Sequence, residues 1–162
     1  MSVGLRPYLA SDAKRCAAIF RAAISEIAIE DYSEEACEAW AARAEDLKAF
    51  ADRLGAALTL IGFTVGEPAG FASLKDGSEI DMLYVDPEYS RQGVATTLIE
   101  ALERIAFSRG APKLTVDASD TSKPLFERAG FRAERRNVVR IGKAWCGNTS
   151  MNKALGAKTS EH

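Results

Sequence analysis

The residues that could do chemistry gather between Glu79 and Thr96. An apolar run, Ile80-Asp81-Met82-Leu83-Tyr84-Val85, is interrupted by a single acid. It leads through Asp86-Pro87-Glu88-Tyr89 into a glycine step, Ser90-Arg91-Gln92-Gly93-Val94-Ala95. Leu98, Leu102, Ile105 and Arg109 then recur at helical spacing, with Glu100, Glu103 and Arg104 on the other faces. A strand that turns through glycine into a helix leaves the first backbone N–H groups of that helix without partners. Those donors, with the positive end of the helix dipole, suit a phosphate. The segment is therefore expected to hold a phosphorylated ligand at the end of a strand.

Other chemistries are excluded by what the chain lacks. Its one histidine, His162, is the last residue, so no Ser/His or Cys/His pair can be built in the folded body. Histidine-rich metal sites are excluded too, and no metal is expected. Cys16, Cys37 and Cys146 are odd in number and widely spaced, which reads as packed free thiols in a reducing compartment. The formal charge is −2, with no basic run or stripe that would suit a nucleic acid. No segment resembles a signal peptide or approaches a membrane span, so a soluble, cytoplasmic protein without a membrane partner is expected.

The elements that must position the glycine step follow from patterning. The 162 residues, 47% of them apolar, fit one domain over residues 1–155 with a frayed tail at 156–162. Residues 3–9 read as a strand, and Ser11 and Asp12 open a helix with an apolar stripe at Ile19, Phe20, Ala23, Ile24 and Ile27. Ser33 caps a second helix, and a third, carrying Leu47, Phe50, Ala51 and Leu54, closes at Gly55. Short strands follow at 58–64, 70–75 and 78–85, the last two joined by the tight turn Asp76-Gly77. After the helix comes a strand at 113–116, then a short helix opened by Ser122-Lys123-Pro124 and closed by Gly130. A terminal antiparallel pair, 132–140 and 143–151, completes an α+β domain whose central mixed sheet of about seven strands is mostly antiparallel.

The strand, the Val85-Asp86-Pro87 turn and the glycine step resemble motif A of the GCN5-related N-acetyltransferases, the GNAT superfamily, and the element order is that of the GNAT fold. Asp31-Tyr32-Ser33, Trp40-Ala41, Thr115-Val116-Asp117-Ala118-Ser119 and Phe126-Glu127-Arg128-Ala129-Gly130-Phe131 are similar to its small bacterial YafP-type branch. The resemblance implies acetyl-CoA as co-substrate. Leu83, Tyr84 and Val85 would bond the pantetheine arm, and Arg91, Gln92, Gly93, Val94, Ala95 and Thr96 would cradle the pyrophosphate. It also implies acetyl transfer to a primary amine, small-molecule or peptide, and leaves room for a homodimer.

An alkyl amine is mostly protonated at neutral pH and must lose a proton before it attacks. Asp81 is the first candidate base because it interrupts an apolar strand, and alternation places it on one face with Glu79 and Leu83. Glu79 is the rival, because it stands where histone-type members of the family carry their glutamate. Ser90 departs from the Gln or Arg of the motif. Phe126 stands where many members carry a tyrosine that protonates the leaving thiolate, and phenylalanine cannot donate. Phe126 is expected to touch the cofactor arm or the core, and Tyr84, Tyr89, Tyr32 or water to replace the acid. Tyr32 and Trp145 are candidate walls of the acceptor pocket, with Trp40 read as core. The departure at Phe126 also admits a CoA-binding module without catalysis.

Overall fold

The computed structural model describes residues 2–156, so most of the tail expected from 156 onward lies outside the described residues. Its elements are β1 (Gly4–Pro7), α1 (Ala13–Glu26), α2 (Glu34–Ala41), α3 (Leu47–Ala56), β2 (Leu58–Thr64), β3 (Glu67–Lys75) and β4 (Glu79–Val85). α4 (Val94–Ser108), β5 (Lys113–Ser119), α5 (Lys123–Arg128), β6 (Arg132–Ile141) and β7 (Ala144–Ala154) follow. Gly55 does not close α3; it lies inside the last turn, which runs on to Ala56.

The strands form one seven-stranded sheet in the order β1-β2-β3-β4-β5-β7-β6. Every neighbouring pair is antiparallel except β4 and β5. Helices cover both faces, which is why the sheet's inner strands are apolar on both sides. On one face Leu98, Ile99, Leu102 and Ala106 of α4 pack with Leu74, Ile80, Leu114 and Met151. On the other, Ile19, Phe20 and Ile24 of α1 and Phe50 and Leu54 of α3 pack on Ile61, Phe71 and Met82. Each fully buried leucine or isoleucine in these layers contributes roughly 1.5–3 kcal/mol.

Two local features set the geometry of β4. First, Ser73 pairs with Met82 while Leu74 pairs with Ile80, so Asp81 is an extra residue in β4, a β-bulge. The bulge resets the alternation: Ile80 belongs to the α4 face, Met82 to the α1–α3 face, and Leu83 again to the α4 face. Second, α4 sits close to the sheet because β2 and β3 carry glycine beneath it. A Cβ on Gly70 would lie 2.9 Å from the Tyr84 carbonyl oxygen and 3.0 Å from Val94 Cγ1, and one on Gly62 would lie 3.2 Å from the same methyl. The N-terminus of α4 is thereby held against the end of β4.

Caps follow the sequence in part. Ser33 Oγ accepts from the Ala36 N–H at 3.1 Å, and Asp46 Oδ1 accepts from the Ala49 N–H at 3.0 Å. Asp12 acts differently from a simple cap. Its carboxylate takes a bidentate pair of bonds from Arg6 at 2.7 and 2.8 Å and a third from the Leu9 N–H at 2.8 Å, tying β1 to the start of α1. The Arg6 guanidinium, helped by the Leu9 amide, holds this carboxyl below the usual range although burial opposes it. Because the folded pKa is depressed, the stability it contributes is present above about pH 4, the unfolded value, and is lost as pH falls through the folded one. Melting followed from pH 6 to pH 2 should show an acid-side fall that is shallower in Asp12→Asn, which starts from a lower Tm at neutral pH.

Candidate active site at the opening between β4 and β5

The parallel strands β4 and β5 pair only at Glu79 with Thr115 and Ile80 with Val116. Beyond that point β4 keeps β3 on one side and β5 keeps β7 on its far side, so the edges of 81–85 and 117–119 that face each other have no partner strand. Such edges present backbone N–H and C=O groups that an amide-bearing chain can join as an added strand. The gap opens at the carboxyl ends of two parallel strands, where ligands of α/β sheets bind. Leu83, Tyr84 and Val85 stand on its β4 side.

The glycine step lies at the mouth of this gap. Gly93, at φ +83°, is the N-cap of α4, and no side chain caps the helix. The first helical bond runs from the Thr97 N–H to the Gly93 carbonyl at 3.0 Å, so the amides of Val94, Ala95 and Thr96 have no partner within the helix. Arg91 is also left-handed, at φ +63°, and such backbone near a helix start makes a concave set of N–H groups suited to an anion. A Cβ added to Gly93 would meet nothing within 4 Å, so the glycine faces open space where a ligand could approach. Arg91 and Gln92 are exposed and Val94 is buried under the sheet glycines. These residues fit a pyrophosphate held by backbone donors.

On the α1–α3 face a cavity of about 310 Å³ lies beneath α2, beside α3 and against the β6–β7 hairpin. Glu79, Asp81 and Tyr84 of β4 and Asp117 and Ser119 of β5 line it, with Tyr32, Trp40, Arg43, Arg53 and Cys146 among the other wall residues. A larger depression of about 600 Å³ lies at the far end of the sheet, lined by turns that include Ala57, Gly77 and Gly110, away from the glycine step.

Within the cavity the hydrogen bonds sort the candidates. The Trp40 indole N–H donates to the Tyr84 hydroxyl at 3.2 Å, while the Tyr84 proton has no acceptor among the described residues. Tyr84 is half-buried by area because its ring borders the cavity, yet burial still pushes its phenol up to about 12. Tyr32 is fully committed: its hydroxyl donates to the Gly147 carbonyl at 2.7 Å and accepts the Asp120 N–H at 2.7 Å. It pins the segment before α2 to β7 and to the end of β5, beside the Arg136–Asp120 ion pair. Trp40, read from the sequence as core, borders the cavity, with its ring against Tyr32 and Tyr84.

The carboxylates differ in the same way. Asp81 Oδ2 accepts from Arg53 Nε at 2.9 Å and Oδ1 from Nη2 at 3.0 Å. Because of the bulge it faces α3 and the cavity with Tyr84, not the side of Leu83 that alternation predicts. Glu79 also borders the cavity and has no hydrogen bond or ion pair among the described residues.

Two of the candidate site residues do not border the cavity. Phe126 is 2% exposed and packs edge-on against Phe131, centroids 5.1 Å apart, within the core under α4. The turn of α5 directs it inward, so it is a core residue and not a wall of the gap. Trp145 is 67% exposed and does not border the cavity; strand alternation puts it on the opposite face of β7 from Cys146, under the Arg140 guanidinium at 5.6 Å.

Three cavity residues, Arg43, Arg53 and Asn148, carried no signal in the sequence, and Asp117 carried little. Arg43 and Arg53 sit among alternating charges on short helices and look like solvated positions. Asp117 falls within the quoted run Thr115-Val116-Asp117-Ala118-Ser119, and its outward place on β5 was the one available hint.

The acetyltransferase (GNAT) domain model matches residues 28–155. The uncharacterized N-acetyltransferase YafP of Escherichia coli K12 is 35% identical over 150 residues, 93% of this chain and 95% of that protein. A solved GCN5-related N-acetyltransferase from Rhodopseudomonas palustris superposes with a TM-score of 0.93 at 51% identity, covering 95% of this chain and 96% of that one. The PaiA N-acetyltransferase of Thermoplasma acidophilum, solved with coenzyme A, shares the fold at a TM-score of 0.79 and 21% identity, over 95% of this chain and 99% of that one.

Proposed function

The chain belongs to the GNAT acetyltransferase family, and from that premise we propose that residues 1–155 act as one domain that moves acetyl from acetyl-CoA directly to a primary amine. The observation that carries this reading is the sheet opening, with an uncapped glycine-led helix at its mouth and an acid-bearing cavity on its other side.

Each part of the chain has a task. The amides of Val94, Ala95 and Thr96, with Gly93, bind the pyrophosphate, and the unpaired edge at 83–85 bonds the pantetheine amides. This lays the thioester in the gap, between the α4 face and the cavity. Glu79, which has no competing partner, takes the proton from the ammonium directly or through water. Asp81, held on both oxygens by Arg53, keeps the amine positioned above β4. The amine nitrogen then bonds the acetyl carbon, the carbon–sulfur bond breaks, the nitrogen releases its second proton to water, and the thiolate takes one up. Phe126 cannot supply it and Tyr32 has spent its own, so Tyr84 donates from the cavity wall while Trp40 supports its oxygen. A thiol also leaves tolerably unaided, with a reference pKa near 8.5.

The free carboxylate of Glu79 and the unspent proton of Tyr84 favour an enzyme over a binding module that has lost catalysis. The test is calorimetry and melting with acetyl-CoA, followed by thiol release over an amine panel. A ligand at about 100 times its Kd should add roughly 2.7 kcal/mol of stability, seen as a rise in Tm. Absence of both binding and a Tm shift at saturating acetyl-CoA removes the proposal at its root. Binding without turnover on any amine would favour the module.

A further inference from the structure

The acid-lined cavity also holds a cation that no described residue answers. Of its three arginines, Arg53 is spent on Asp81. Arg140 is directed elsewhere, its guanidinium over the Trp145 ring and its Nε donating to the Gly142 carbonyl at 3.1 Å. Arg43, just past α2, has no hydrogen bond or ion pair among the described residues, yet it borders the cavity. Its charge is felt at the Tyr84 hydroxyl on β4 and the Cys146 thiol on β7, and lowers the pKa of each against the effect of burial. The strand side of the cavity has the reverse character. Glu79 is without a partner, and Asp117 is met only by the Ser150 hydroxyl at 2.8 Å.

We infer that the acceptor is an amine that also carries an anionic group, a carboxylate or a phosphate, with the amine over Glu79 and Asp117 and the anion on Arg43. The inference rests on the acetyl-transfer reading, because that reading puts the reacting nitrogen next to β4. A planar guanidinium with free donors binds carboxylate and phosphate through paired hydrogen bonds. A neutral alkylamine would leave Arg43 unanswered. A polyamine would set a second cation against it, a like-charge contact that disfavours binding. At about 310 Å³ the cavity is at the small end of ligand sites, which suits an amino acid, a short peptide terminus or an aminoalkyl phosphate.

The test uses the full chain at saturating acetyl-CoA. Thiol release is compared across matched amines: an α-amino acid and its carboxamide, an aminoalkyl phosphate and its alcohol, and spermidine. The same compounds are titrated by calorimetry into the protein with CoA. The anionic member of a pair should exceed its neutral partner about tenfold or more in kcat/KM. Arg43→Gln should raise KM for that member about tenfold, with kcat within a few-fold, and Arg43→Lys should recover part of the loss. Which pair responds separates carboxylate from phosphate. Equal or better turnover of the neutral amines or spermidine overturns the inference, as does a preference that Arg43→Gln leaves unchanged. If anionic amines bind and lose binding in Arg43→Gln but none is acetylated, the anion site at Arg43 stands and the transfer reading fails. If none of them binds or reacts, this inference fails even where acetyl-CoA binds.

Discussion

Gly93→Val should abolish most acetyl-CoA binding while leaving the protein folded. At φ +83° a β-branched residue is strained by about 1–2 kcal/mol, but a Cβ there would meet no described atom within 4 Å. The folding cost is therefore modest. What the valine does fill is part of the open space at the uncapped start of α4, where a ligand on the amides of Val94, Ala95 and Thr96 would have to approach. Loss of those contacts should weaken acetyl-CoA at least about 100-fold, close to 2.7 kcal/mol. Gly77→Val is the control: it too is left-handed, at φ +75° and with free space, but in the turn at the other end of β4. Melting should fall by similar amounts in both variants, and calorimetry should show weakened binding in Gly93→Val alone. Equal binding by the two would mean that the ligand does not sit on this turn.

Tyr84→Phe should lower kcat about 100-fold, within the range for a single positioned acid, with little change in acetyl-CoA affinity. Burial pushes this phenol up to about 12, so it stays protonated across the working range and the loss should be the same from pH 6 to pH 10. Glu79→Gln should behave differently. Its deficit should shrink as pH rises towards the amine's own pKa, near 10.4 for a lysine-like group, because the acceptor then arrives deprotonated. Trp40→Phe removes the same 3.2 Å bond from the other partner and leaves the Tyr84 proton in place. A few-fold effect there, against the large one in Tyr84→Phe, separates proton donation from packing. Unchanged kcat in Tyr84→Phe would show that water protonates the thiolate.

By itself the sequence determined what is encoded within a few consecutive residues. Helical stripes, the Asp76-Gly77 turn, the Ser33 cap and the left-handed Gly93 each depend on local dihedrals or periodicity, so their residue types announce them. From these came the element order, the α+β class and the place of the glycine turn before α4. Tertiary structure alone decided which side chains meet. One extra residue in the pairing of β3 with β4 leaves Asp81 on the cavity side with Glu79, separates both from Leu83, and sets Asp81 against Arg53, which is 28 positions earlier in the chain. Tyr32 finds Gly147 across 115 positions, and so loses the proton that would have made it an acid. Phe126 enters the core because Phe131 waits there, and Arg43 becomes notable only because no described residue folds back to neutralise it. Strand register and charge pairing are set between distant segments, and residue spacing carries no record of either.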